Sequence, residues 1–359
     1  MYSNTDGNAN TSIGYKSLFT NTSGDYNVAI GGEALMLNTT GGFNTSIGYA
    51  SLHVNSVGYG NTAIGNTALS QNSSGYRNTG VGSESLTFNT TGYLNSAFGY
   101  NSLRNNSTGF ENTTVGCNSL VFNTTGMQNT SVGYDALRSN VSGWQNTAIG
   151  HHSLINNLGN YNTAIGYNSG STITTGANLT LIGIDANPSS PTANDQITLG
   201  NGFVTSLRCN VTTITSLSDR RDKKNIKDLS LGLEFITKLK PRQFNWDKRE
   251  WYDNNISDGS KMREAPTAGF IAQELDSAQT IANAEWMNLV LKDNPEKWEA
   301  SAGNLLPVMV KAIQELKAEN DELKSEVNKL KDVNEKVAKL EQIINELTSV
   351  KNTSLTQNK

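Results

Sequence analysis

The chain is short of the residues from which most sites and membrane segments are built. Its two cysteines, Cys117 and Cys209, lie far apart in ordinary repeat-like or strand-like sequence. They imply no disulfide framework and no metal site, and read as incidental thiols. No run is long and apolar enough to span a membrane, and Met1-Tyr2-Ser3-Asn4 does not open a basic-then-apolar signal peptide. A positive excess is missing too: the formal charge of -4 argues against a nucleic-acid partner. Charge of either sign is scarce in the first part of the chain. Residues 1–217 hold 13 of the 60 charged residues and residues 218–359 the other 47, so composition alone marks a boundary.

What fills the uncharged part is a repeat. A glycine preceded by Ile, Val, Phe or Leu recurs every 17 residues at Gly14, Gly31, Gly48, Gly65, Gly82, Gly99, Gly116, Gly133 and Gly150, then one residue short at Gly166, and again at Gly183 and Gly200. A constant period of this size marks stacked units, none of which buries its apolar face alone. Asn sits four before the glycine (Asn27, Asn44, Asn78, Asn95), Leu four after (Leu18, Leu35, Leu52, Leu86), and a second glycine ten after (Gly24, Gly41, Gly58, Gly92). Glycine and asparagine tolerate positive φ, so two corners per unit are expected at them, with short β-branched strands between. The expected fold is a β-solenoid with one coil per unit. Ile and Leu point into a thin core, Thr and Ser point to solvent or a neighbouring chain, and Asn forms a side-chain ladder.

Eleven intervals at ~4.8 Å make a rod on the order of 50 Å. So thin a core predicts association, most simply as a homotrimer. The repeat is already in phase at Asn10, so the sequence reads as a piece of a longer protein. The Asn-Thr-Ala-Ile-Gly units, as at Asn61–Gly65, resemble the β-roll head repeats of trimeric autotransporter adhesins, whose period is shorter.

Candidate sites in the repeat are weak. Asn-x-Ser/Thr triplets follow from the repeat itself. His151 and His152, adjacent in a strand, would face opposite sides and hold no common metal. Acidic residues are too scattered for a glycosidase pair. A row of Tyr59, Tyr93, Phe110 and Trp144 suits sugar binding or mutual stacking. From about Asp185 the pattern changes: a loop at 187–191 precedes expected closing strands at Gln196–Leu199 and Val204–Leu217.

Ser218-Asp219-Arg220-Arg221-Asp222-Lys223-Lys224-Asn225-Ile226 opens the charged part. Further on come Leu239-Lys240-Pro241-Arg242-Gln243-Phe244-Asn245-Trp246, then Gly269-Phe270-Ile271-Ala272-Gln273-Glu274-Leu275, then residues 305–316 from Leu305 to Leu316. These four blocks, in this order, resemble the endosialidase-type intramolecular chaperone, a self-processing serine peptidase family at the C-termini of phage tail spikes and fibres. The resemblance implies a small α/β domain and a Ser–Lys dyad at Ser218 and Lys223. A serine hydroxyl needs a neighbouring base. Lysine serves only when neutral, a state that burial and the charges of Arg220, Arg221 and Lys224 would favour. The expected cut is at Leu217–Ser218, with Ser218–Asp219 as the alternative. No cofactor is implied.

After Ala312, Leu316, Asn320, Leu323, Val327 and Leu330 alternate by four and three. A short step to Val333 resets the phase for Val337, Leu340, Ile344 and Leu347. This is a coiled-coil seam with a three-residue discontinuity, its register helped by Asn320 and Asn334. The expected organisation is therefore a shaft at 1–183, closing strands and junction at 184–217, the chaperone at 218–311, a coiled coil at 312–350 and a disordered tail at 351–359. The function expected is that of a phage-type tail fibre or spike. Its chaperone aligns three chains and is then cut away in the host cytoplasm, leaving a virion shaft that binds a host glycan or protein receptor. A bacterial surface adhesin and a glycan-degrading spike are the alternatives.

Overall fold

The structure is a computed structural model that describes residues 2–208 and 217–356. Residues 209–216, with Cys209 and most of the last expected closing strand, lie outside the described residues. The chain divides into two compact units, residues 1–212 and 213–359.

The first unit is a β-solenoid. Twelve three-residue strands, β1 (Thr11–Ile13), β2 (Val28–Ile30), β3 (Thr45–Ile47), β4 (Thr62–Ile64), β5 (Thr79–Val81), β6 (Ser96–Phe98), β7 (Thr113–Val115), β8 (Thr130–Val132), β9 (Thr147–Ile149), β10 (Thr163–Ile165), β11 (Thr180–Ile182) and β12 (Ile197–Leu199), form one parallel sheet in sequence order. Pairing advances by one repeat, as in Ile13↔Ile30 and Ile47↔Ile64. Away from the strands the coils are also joined by main-chain bonds, such as Leu18 N–H to Ala34 O (3.0 Å) and Tyr26 N–H to Asn8 O (3.0 Å). Backbone polarity is thus satisfied around the coil.

The core is a column of fully buried leucines, Leu18 through Leu154, faced by the middle residue of each strand. A three-residue strand has one inward position. Because leucine from the opposite wall already fills the interior, that position takes Ala29, Ser46, Ala63, Gly80, Ala97 or Thr114. The Ile/Val positions of the strands therefore face outward, Ile13 at 59% and Ile64 at 37% exposed. The expectation that Ile joins Leu in the core is overturned. One coil inverts the arrangement: the leucine position is Gly170, and Leu181 and Ile173 reach into the space that its side chain would occupy.

The corners also differ from expectation. The glycines after the strands do have positive φ, as at Gly65 (139°), but so does the leucine column itself, as at Leu69 (53°). Strain at a bulky left-handed residue persists only where burial and hydrogen bonds over-determine it. The second glycine of each unit does not need positive φ. It is glycine because a Cβ at Gly75 would lie 2.3 Å from Gly92 O and 2.3 Å from Asn72 Oδ1.

Two buried asparagine ladders run along the solenoid. In one, Asn61 Oδ1 accepts Asn78 N–H (3.0 Å) while Asn61 Nδ2 donates to Gly75 O (2.9 Å). In the other, Asn72 Nδ2 donates to Asn55 Oδ1 (2.8 Å) and Gly75 O (2.9 Å).

The second unit is smaller and mixed. Its helix α1 (Leu233–Ile236) packs on the long helix α3 (Leu306–Thr356), and β13 (Arg242–Phe244) pairs antiparallel with β14 (Thr267–Gly269). Helix α2 (Ala272–Ile281) buries Leu275 in a core with Phe235, Leu289, Leu305 and Val308. Helix α3 begins before 312 because Pro307 falls in its first turn, where a missing N–H costs nothing. It also runs through residues 351–356, expected as tail, since no glycine or proline stops it there. No helix is long and apolar enough to cross a membrane among the described residues.

Candidate functional site

The junction is shaped by one tight turn. Asp219 is extended (φ -66°, ψ 135°), and its carboxylate accepts the Arg221 amide at 2.8 Å, capping the 3-10 turn Arg220–Asp222. Lys223 returns to extended backbone, its own amide donating to Arg220 O at 3.2 Å. A single turn between two extended residues brings positions five apart face to face, and Lys223 Nζ donates to Ser218 Oγ. Leu217 is fully exposed beside them.

The surroundings differ from expectation in two ways. Lys223 and Ser218 are exposed in the single chain, so the expected burial of the lysine is not found. Of the three cations expected around it, Arg221 is engaged by Asp219, with Nη2 2.6 Å from Oδ2. The side-chain bond to Arg221 holds the Asp219 carboxyl below the usual carboxylate range, and the same bond pushes the Arg221 guanidinium up. Arg220 and Lys224 remain as the neighbouring charges. Motif reasoning passes over Asp219, yet it sets the turn; an Asp heading a short polar turn is the signal that could have found it.

The second and third motif blocks meet in the fold, and the fourth reaches α1. Arg242, from the second, pairs with Glu274, from the third (Nε–Oε2 2.9 Å), and this holds the Glu274 carboxyl below its ordinary range. Glu315, from the fourth, accepts the Leu233 amide at 2.7 Å.

In the solenoid, His151 and His152 are not on opposite sides of a strand. They follow β9 at a corner where His152 has φ 58°, and their ring centroids are 3.9 Å apart. His151 stacks between Tyr134 (5.1 Å) and Tyr167 (5.3 Å). Among the described residues no three His, Cys, Asp or Glu side chains are placed to hold a metal ion. The aromatic row is stacked on itself: Tyr59, Tyr76, Tyr93 and Phe110 follow at 5.1, 5.0 and 4.8 Å with planes within 5°. The inner rings have no free face for a sugar, so stacking is the reading that holds for them.

A family model described as chaperone of endosialidase matches residues 218–284, starting at the serine of the turn. That family is of self-cleaving serine-peptidase type. No curated protein and no solved structure matches the chain. Residues 218–284 are thus similar to the endosialidase chaperone, and they follow a β-solenoid of about 11 turns with repeats of about 17 residues.

Proposed function

We propose that residues 218–359 are an intramolecular chaperone that aligns three copies of the solenoid and is then released by cleavage at Leu217–Ser218. The observation that carries this reading is the Lys223–Ser218 hydrogen bond beside an exposed Leu217, at the first residue of the matched family segment. Lys223, as a neutral amine, takes the Ser218 hydroxyl proton, and Oγ attacks the Leu217 carbonyl. The C–N bond breaks as the proton passes to the Ser218 nitrogen, and water hydrolyses the resulting ester to a Leu217 carboxylate and a free Ser218 N-terminus. Tethering supplies the proximity. In a single chain the pair is open to water; copies packed around the junction would desolvate it and favour the neutral amine.

Each coil resembles the next, so chains align one coil out of step at small cost, and a device that levels their ends answers that hazard. Removing it afterwards separates unfolding from refolding and leaves a kinetically stable product. The product is a tail-fibre-like or spike-like shaft of a phage-type virion, engaging a host-surface glycan or protein.

The test is mass measurement under denaturing and native conditions. Wild type gives two fragments, 1–217 and 218–359, from a trimeric assembly; Ser218→Ala and Lys223→Ala each give one uncut chain. Two fragments from both variants would remove the dyad, and a cut after Ser218 would move the bond.

A further inference from the structure

The outward face of the solenoid sheet is a stripe of one chemistry. The third strand residues read Ile13, Ile30, Ile47, Ile64, Val81, Phe98, Val115, Val132, Ile149, Ile165, Ile182 and Leu199, and no residue of the twelve strands is charged. The charged residues of the shaft stand at other positions of the coil, such as Glu33, Glu84 and Asp135, which pair with His53, Arg104 and His152. With Ile64, Phe98, Val115, Ile149 and Ile165 each about 40% exposed, the stripe is contiguous over the whole sheet. A contiguous apolar patch that runs the length of a sheet marks an interaction surface rather than a bare face.

Residue size along the stripe is compensated. Its one aromatic, Phe98, is flanked by Val81 on one side and by Val115 and Val132 on the other, whereas Ile fills the column from 13 to 64 and from 149 to 182. A bare surface has no use for smaller neighbours beside a larger ring. A packed layer does, because the ring takes space from the rungs above and below. A partner matching an apolar rung at every coil must share the solenoid's own rise, which another copy of this chain does by construction.

We infer that the Ile/Val/Phe stripe is the seam at which copies of this solenoid meet, parallel and in register, with the Phe98 side chains of all copies in one layer. This rests on the assembly reading above and names the surface that serves it. A slip of one coil sets Phe98 against Val81 or Val115, so Phe98 opposes the misregister that the rest of the repeat permits.

The experiment uses the full chain with Cys117→Ser and Cys209→Ser, carrying one new cysteine: Val115→Cys, Ile30→Cys or, as control, the exposed corner residue Ser74→Cys. A short bis-maleimide is added to the native protein, and linkage is read on a denaturing gel beside a native mass. Linked chains from Val115→Cys and Ile30→Cys, with none from Ser74→Cys, are expected. Linking at 115 without 30 would make the copies antiparallel and overturn the register. An oligomer that links at neither, or at 74 instead, overturns the seam while leaving the assembly reading intact. A monomeric native mass overturns both.

Discussion

Glu315 on α3 accepts the backbone amide of Leu233 at 2.7 Å, joining residues 82 positions apart, and Gly232 is what makes room for it. A Cβ on Gly232 would lie 2.1 Å from Glu315 Oε2. Glu315→Ala leaves the first amide of α1 without its acceptor and is expected to cost about 1–2 kcal/mol. Gly232→Ala should cost a similar amount by displacing the carboxylate, and the two should not add. Guanidinium unfolding of the full chain, followed by tryptophan fluorescence, checks this, because four of the five tryptophans (Trp246, Trp251, Trp286, Trp298) lie after residue 217. Simple additivity would disconnect the glycine from the cap.

Two glycines of neighbouring function should respond oppositely to alanine. Gly75→Ala drives a Cβ into Gly92 O and the Asn72 amide, one of them main chain, and is expected to lose at least about 2 kcal/mol. Gly80→Ala meets first Ser85 Oγ at 2.9 Å and then Leu69 Cδ1 at 3.4 Å, both side-chain atoms, in a position where Ala63 and Ala97 stand in neighbouring strands. Ser85 Oγ has no partner to lose by turning away. Near-neutrality or a gain of about 0.4–1 kcal/mol is expected from the stiffer unfolded chain. The unfolding midpoint of the solenoid decides.

Asn72→Asp tests the buried ladder. Asn72 Nδ2 donates to Asn55 Oδ1 and Gly75 O, while its Oδ1 accepts Asn89 Nδ2 at 2.8 Å. The aspartate keeps the acceptor but turns a carboxylate oxygen toward two acceptors at a fully buried site. A loss above about 3 kcal/mol at neutral pH is expected, larger than for Asn72→Ala. If alanine were the worse substitution, lost packing rather than polarity would govern the ladder.

What the sequence discloses follows from how local each cause is. The 17-residue period, the leucine column and the strand positions are written in spacing, and the Asn38, Asn55, Asn72 ladder is equally periodic though less conspicuous beside the glycines. The direction of Ile is not legible, because it depends on Leu69 and its equivalents filling the interior from the opposite wall. The need for Gly75 is likewise set by Asn72 and the next coil. The Ser218–Lys223 contact is legible only through resemblance, since two such residues five apart carry no signal by themselves. The Glu315 cap has no local pattern at all.

Acid should act on the second unit. Glu274 is held low by its bond to Arg242, Asp276 by its bond to Lys292, and Asp219 by its bond to Arg221. A depressed carboxyl contributes stability that is present above its unfolded value, about 4, and is lost as pH falls through its folded value. Stability of the second unit should therefore hold from neutrality to about pH 4 and decline below it, with Glu274→Gln flattening part of the decline. Tryptophan fluorescence against pH measures it; a decline that begins on the alkaline side instead would reverse the sign.

Helix α3 offers the last test. Leu316, Leu323, Val327, Leu330, Val337, Leu340, Ile344 and Leu347 are all exposed on a single chain, at 45–64%. In the proposed assembly this stripe of the 51-residue helix is covered by the same helix of the other copies. Leu323→Glu with Leu330→Glu places like charges at core positions one heptad apart in any coiled coil while leaving the Phe235–Leu275 core, from which both residues are absent, untouched. The double variant should keep the tryptophan signal of the second unit but lose the oligomeric mass, and its solenoid should be recovered as aggregate. A soluble shaft of wild-type stoichiometry from this variant would show that the chains find their register without the helix, and would pass that task to the stripe centred on Phe98.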